Sequence, residues 1–292
     1  MGSNGSLLEK LTHAFYEKLY EPSLVKRAMM VLEKMKVYER QVIKIDVSDG
    51  TPGLTESKFG GLPYIPENGD VPKGEDGLPL CLLAQFNLSE LPADVFPLKS
   101  GILQFWAADN DLIGADFDDP LTGKNSCVRY HESIDAHMNE EQLKLVYPGP
   151  GKREGGWFPL ESSFSLSFTT AIDPINPNED MFGEEFKRIW TENWPKSPAN
   201  GWYDMPDDFT DSIMEANSGF GHKLLGHPGF TQSDPRYNPG TEKMVLLFQM
   251  DSQGTDKHEI MWGDCGVCNW FIAKDDLKKG DFSRVLYNWD CY

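Results

Sequence analysis

From Met244 to Tyr292 short apolar runs alternate with turn residues, a pattern that predicts four strands. The first half of the chain carries a weaker copy of it. Leu82-Leu83-Ala84-Gln85-Phe86-Asn87 matches Leu246-Leu247-Phe248-Gln249-Met250-Asp251, with a glutamine at the same place in each apolar run. Upstream, Gly61-Leu62-Pro63-Tyr64 matches Gly226-His227-Pro228-Gly229, and downstream, Gly101-Ile102-Leu103-Gln104-Phe105-Trp106 matches Gly266-Val267-Cys268-Asn269-Trp270-Phe271. Pro63 precedes Gln85 by 22 residues and Pro228 precedes Gln249 by 21. The second amide follows 19 residues later at Gln104 and 20 later at Asn269. Matched blocks at matched spacings predict duplication of one β unit, with repeats at about 58–106 and 222–271. If Gln85 and Gln249 face the same way, they are expected to pair with each other across a pseudo-axis.

Around these repeats the periodicity changes. Leu7, Leu8, Leu11, Phe15 and Leu19 share one helical stripe, ended by Glu21-Pro22. Ser23 can cap a second helix with Leu24, Ala28, Val31, Leu32 and Met35 on its apolar face. Both helices are expected to bury their stripes on the sheet that follows. Ile43, Ile45 and Val47 alternate with polar residues, predicting a strand over 41–47, and Asp49 to Lys73 is expected to be a long ordered loop. Ser126–His131, Leu143–Tyr147 and Ser163–Thr169 are predicted strands, and Asp281–Cys291 a closing strand. Between them Phe182, Phe186, Ile189, Trp190 and Trp194 mark a helical insert, and Pro206 opens a shorter helix closed by Asn217-Ser218-Gly219. The expected architecture is α+β. A helical segment over 1–39 precedes one pseudo-symmetric, internally duplicated antiparallel body over 40–292.

Charge adds to this picture. With 46 acidic and 27 basic residues the net charge is −19, which repels phosphate backbones and makes nucleic acid an unexpected partner. A basic protein suits that field. Apolar runs of about five residues are far short of the roughly 20 that a membrane helix needs. Lys10, Glu17 and Lys18 interrupt any leader-like run, so no membrane span or secretory leader is expected. The odd number of cysteines, five, suits reduced thiols in a cytoplasm.

Several ordered blocks together resemble the YwqG-like family of bacterial proteins: Gly60-Gly61-Leu62-Pro63-Tyr64-Ile65-Pro66, Leu83-Ala84-Gln85-Phe86-Asn87-Leu88, Phe230-Thr231-Gln232-Ser233-Asp234-Pro235-Arg236, Ile260-Met261-Trp262-Gly263-Asp264 and Val285-Leu286-Tyr287-Asn288-Trp289-Asp290-Cys291. The resemblance covers about residues 40–292. It implies a β-rich, internally duplicated cytoplasmic protein with no established activity. Some members are associated with toxin–immunity loci. It implies no catalytic residues.

Candidate chemistry is sparse. Cys265-Gly-Val-Cys268 has zinc or redox spacing, but alignment to the first repeat puts Cys268 opposite apolar Leu103 and enters a strand rather than a helix N-terminus. No second ligand pair accompanies it, so neither metal nor cofactor is expected. The loop carrying Asp109, Asp111, Asp116, Asp118 and Asp119 fails the EF-hand pattern at Ile113 and Pro120. It is expected to be a solvated acidic loop, an irregular cation site being the alternative. His227, Asp234 and Arg236 form either acid–base machinery or a structural turn in which Asp234 accepts backbone N–H bonds and Arg236 pairs locally. Trp262 and Asp264 either line a pocket or flank a tight turn. No nucleophile elbow, phosphate loop, dinucleotide fingerprint or HExxH motif is present. The expectation is a non-enzymatic binding protein that meets a basic partner, of the kind a toxin would be, through its acidic face. The alternative is a small-molecule or metal-dependent enzyme with its site between the repeats. The sequence leaves the oligomeric state open.

Overall fold

The structure, a computed structural model, describes residues 23–121, 123–151, 157–237 and 240–292. The predicted stripe at 7–19 lies outside them. Ser23 caps the first described helix, α1 (Leu24–Met35), by accepting a hydrogen bond from the Lys26 N–H. Ten strands then form a single antiparallel sheet: β1 (Arg40–Asp49), β2 (Lys58–Phe59), β3 (Cys81–Asn87), β4 (Ile102–Ala107), β5 (Ser126–His131), β6 (Phe164–Asp173), β7 (Lys223–Leu225), β8 (Val245–Asp251), β9 (Val267–Ile272) and β10 (Val285–Asp290). Helices α2 (Glu140–Val146), α3 (Asp180–Asn193), α4 (Asp207–Ala216) and α5 (Lys274–Lys279) lie in the connections.

The spatial order is β10-β9-β8-β7-β1-β6-β2-β3-β4-β5. The sheet curls until its two ends nearly meet, where Tyr130 of β5 faces Phe282 before β10 at 5.7 Å. Curling brings inward side chains of distant strands together: Phe86 and Phe105 each contact Phe248, at 5.1 and 4.7 Å, and Phe105 contacts Trp270 at 5.4 Å. The strands are covered on their outer faces too. Leu82 and Trp106 pack outward with Tyr147, and Leu246 and Phe271 outward with Phe230. Burial on both faces explains why these strands read as continuous apolar runs and not as alternations.

The same local arrangement occurs twice. Lys58 and Phe59 pair with Gln85 and Ala84, as Lys223 and Leu224 pair with Gln249 and Phe248. Gln85 accepts the Tyr64 N–H at 2.8 Å and donates to Leu54 O and Glu56 O. Gln249 accepts the Gly229 N–H at 2.7 Å and donates to Gly219 O and Gly221 O. Gln104 donates to Tyr64 O, and Asn269 to Gly229 O. The expected Gln85–Gln249 pair does not form. Each amide instead fastens its own loop to its own strand, because the backbone groups of that loop are the nearest buried ones needing partners.

The first strand of each half of the chain pairs within the other half. Along its full length β1 pairs with β6, and its other neighbour is β7; the other neighbour of β6 is β2.

Other expectations also change. Leu143–Tyr147 is not a strand: Leu143 to Val146 form the second half of α2 and Tyr147 caps its end, the helix being started by a reciprocal capping box between Asn139 and Gln142. The tail from Met244 holds three strands and helix α5 instead of four strands. The segment expected to be an uninterrupted loop, 49–73, contains β2. Helix α1 packs on the helical insert, not on the sheet: Ala28, Val31 and Met35 join Phe182, Phe186, Ile189 and Trp190 in a separate core. The outer face of β1 and β6 offers α1 little, since Lys44, Asp46, Ser167 and Thr169 point to solvent there.

Gly101 and Gly266 sit where strands cross closely. A Cβ on Gly101, whose φ is +92°, would lie 2.1 Å from His131 O, and one on Gly266 would lie 2.0 Å from Asp290 O. Gly101→Ala and Gly266→Ala are each expected to cost about 2 kcal/mol or more, because backbone and not a mobile side chain must yield. Urea midpoints for the two variants check this, and unchanged midpoints would contradict it.

Candidate functional site

His227 and Arg236 meet, but at a residue the sequence reading did not select. Glu179, immediately before α3, accepts from His227 Nδ1 at 2.6 Å through one oxygen and from Arg236 at 2.9 Å through the other. Arg236 is held further by a two-pronged pair with Asp234, at 2.8 and 2.6 Å, and its guanidinium lies over the Phe271 ring. Asp234 also accepts the Arg236 backbone N–H, as the turn reading expects. His227 Nε2 faces Tyr38 O at 2.8 Å, so both ring nitrogens point at oxygen acceptors. Asp173, at the end of β6, accepts the His227 backbone N–H and the Lys223 ammonium, and Lys223 donates also to His227 O.

This network is dry. The side chains of His227, Glu179, Arg236 and Lys223 are each at most 9 % exposed. Burial alone would raise the Glu179 carboxyl, but hydrogen bonds and charge from His227 and Arg236 outweigh it and hold the group at about 2. Burial pushes the Lys223 ammonium down against the pull of Asp173. Every polar atom of the His227 ring is committed, which leaves it no nitrogen with which to take a proton from a substrate. The network ties α3, β1, β6 and β7 together and acts as a latch.

In the polar groove beside it, about 470 Å³ over Lys44, Asp46, Asp173 and His222, the Asp173 and His222 side chains are already hydrogen-bonded. His222 Nδ1 accepts the Asp251 N–H and Nε2 donates to Gln253 O.

The acidic residues separate into different environments. Asp109 is buried at 2 % exposure, its Oδ2 accepting the Gly151 N–H, so it cannot be the surface contact it was expected to be. Asp116 closes a turn by accepting the Asp118 and Asp119 N–H groups. Asp111, Asp118 and Asp119 are exposed. Their loop is not simply solvated. It crosses the seam between β5 and β10 and is fastened to β10: Tyr287 Oη donates to Ile113 O at 2.9 Å, Trp289 Nε1 to Leu112 O at 2.7 Å and Tyr287 N to Pro120 O at 3.3 Å.

A cleft of about 430 Å³ opens beside this seam, walled by Asp111 and Phe117 from the loop, Gln232 and Tyr237 from the facing segment, and Trp289 and Asp290 from β10. Phe117 and Tyr237 are 49 % and 69 % exposed, unusual for large aromatic side chains in so well-filled a fold. Asp290 is spent on Thr231 and Gln232, which order the facing segment, whereas Asp111 is free to meet a ligand. Sequence reasoning singled out Asp111 but missed Phe117, Tyr237 and Trp289, which only the closing of the sheet brings together.

Trp262 is fully buried in the barrel core, and Asp264 is exposed, its carbonyl accepting the Tyr292 N–H. Neither joins His227. All five cysteines are free thiols. Cys268 is buried, and desolvation pushes its thiol well above the ordinary range, opposite to what a nucleophile or metal ligand requires. Among the described residues there is no group of three or more metal-ligating side chains and no helix long and apolar enough to cross a membrane.

A comparison with curated proteins found no match. The chain does match a family described as Domain of unknown function (DUF1963) over residues 57–291, from β2 through the last strand. That span includes the seam cleft and both Gln85 and Gln249, and the chain belongs to the DUF1963 family.

Proposed function

We propose that this protein is a non-enzymatic binding protein whose seam cleft receives a basic protein partner. The observation that carries the reading is the placing of the acidic loop: it forms one wall of a cleft lined by exposed aromatic rings. Carboxylates attract a cation over distance and aromatic faces hold it at contact, so acid beside exposed rings suits lysine or arginine side chains. Net charge of −19 supports the same choice by speeding encounter with a basic protein. Neutralisation of a basic toxin in a bacterial cytoplasm is the biological setting that the YwqG-like resemblance suggests. Two matching sets of hydrogen bonds, with the first strand exchanged between them, support descent from a duplicated five-strand unit.

The test is titration with a lysine- and arginine-rich peptide at two salt concentrations. Binding is expected to weaken with salt. Asp111→Asn/Asp118→Asn/Asp119→Asn is expected to lower affinity about tenfold, equivalent to about 1.4 kcal/mol, and to flatten the salt dependence. Equal affinity of the parent and the triple variant would remove the cleft from the reading.

A further inference from the structure

Resting on that reading, we propose how the partner is held: an extended basic segment enters the cleft and adds to the outer edge of β10 at Trp289. Strand β10 is last in the sheet order, with β9 as its only hydrogen-bonded neighbour. The Tyr287 N–H points away from β9, since it reaches Pro120 O in the loop across the seam. Backbone direction alternates with a period of two along a strand. The N–H and C=O of Trp289 therefore point the same way as those of Tyr287, and Trp289 lines the cleft. Among the described residues nothing takes either group.

The rest of that edge is covered. At the start of β10 the loop carrying Phe282 and Gly280 packs on Tyr130, and at the middle Pro120, which has no N–H to offer a visitor, stands against Tyr287 and takes its N–H. Beyond Trp289 the Cys291 C=O is already taken by the Gln232 side chain. What remains open is short: both backbone groups of Trp289 and the next outward N–H, that of Cys291. One residue of an antiparallel visiting strand can exchange two hydrogen bonds with Trp289, and the residue two positions before it can supply a carbonyl to Cys291. Main-chain bonds of this kind give affinity, while alternate side chains give specificity.

Chemistry around the open edge selects the visitor. Asp111 and the rings of Phe117 and Tyr237 stand beside Trp289, and among the described residues no lysine or arginine lines the cleft. A cationic side chain one position from the paired residue can lie against an aromatic face and reach the Asp111 carboxylate. A small cation would use the rings and the carboxylate but leave the edge open. Only a peptide uses all three.

The experiment uses the full chain and the peptide acetyl-RVRVR-amide, with two relatives N-methylated on alternate sets of backbone nitrogens. The parent peptide is expected to bind. One methylated relative is expected to lose at least tenfold in affinity while the other binds as the parent does, because only one set of N–H groups faces β10. Amide hydrogen exchange at Trp289 and Cys291 is expected to slow at least tenfold in the complex. If both relatives bind like the parent and the two amides keep their exchange rates, strand addition is overturned, while sensitivity to Asp111→Asn/Asp118→Asn/Asp119→Asn would leave the cleft standing as the binding site. If the parent peptide does not bind at millimolar concentration, the cleft reading falls and strand addition with it.

Discussion

Glu179→Ala is expected to destabilise the protein by about 3 kcal/mol, the order of cost for removing one member of a buried ion pair, with Arg236 keeping Asp234 as its other carboxylate partner. His227 and Arg236 would both lose their shared acceptor, and the N-terminal end of α3 would lose its tie to the barrel. The same residue sets an acid limit. Its carboxyl sits at about 2 in the fold against an ordinary 4.5, so it favours the folded state wherever the unfolded chain would bind the proton and the folded one would not. That contribution, about 3 kcal/mol by linkage, is complete above pH 5 and lost as pH falls towards 2. Chemical denaturation at pH 7 and pH 3 measures it: the parent is expected to lose stability between the two values, and Glu179→Ala to lose less. Equal losses in both proteins would mean that other carboxylates dominate the acid transition.

The latch shows what one sequence withholds. Pairing of Asp234 with Arg236 was legible, because two residues of opposite charge two positions apart around a proline form a local turn. Glu179 meets His227 across 48 positions and Arg236 across 57, and no periodicity announces such contacts. Asp109 was misplaced for a similar reason: its partner, the Gly151 N–H, lies 42 positions away. The two similar strand-and-amide arrangements around Gln85 and Gln249 were legible because their spacing is local to each half, and a one-residue slip would turn a buried face outward.

Two elements were missed despite usable signals. Helix α2 is announced by Asn139 followed three residues later by Gln142, and α5 by Asp275 and Asp276 in its first turn, Lys278 and Lys279 in its last and Gly280 beyond it. In α2 the run Leu143–Tyr147 carries strand-like spacing that competes with this capping chemistry, and α5 is too short to show a helical stripe, its one buried apolar residue being Leu277. The seam cleft was beyond reach of the sequence, since it exists only because β5 and β10 are brought side by side by closure of a ten-strand sheet.

Exchange of the first strands makes a severe test of the topology possible. A chain cut between Pro150 and Trp157 leaves β1–β5 in one fragment and β6–β10 in the other. Both neighbours of β1, β6 and β7, then lie in the second fragment, and both neighbours of β6, β1 and β2, lie in the first. Neither fragment can pair its own first strand, and each exposes the inner face that Phe86, Phe105, Phe248 and Trp270 fill jointly in the whole. An isolated fragment therefore keeps its entropy cost of folding but lacks much of the burial that offsets it. Each alone is expected to show no cooperative unfolding transition and to associate non-specifically. Co-expressed, the two are expected to form a one-to-one complex with a cooperative transition, since the exchanged strands supply specific long-range pairing. A cooperative transition from either fragment alone would show that a half can close its own sheet, and would contradict the exchange.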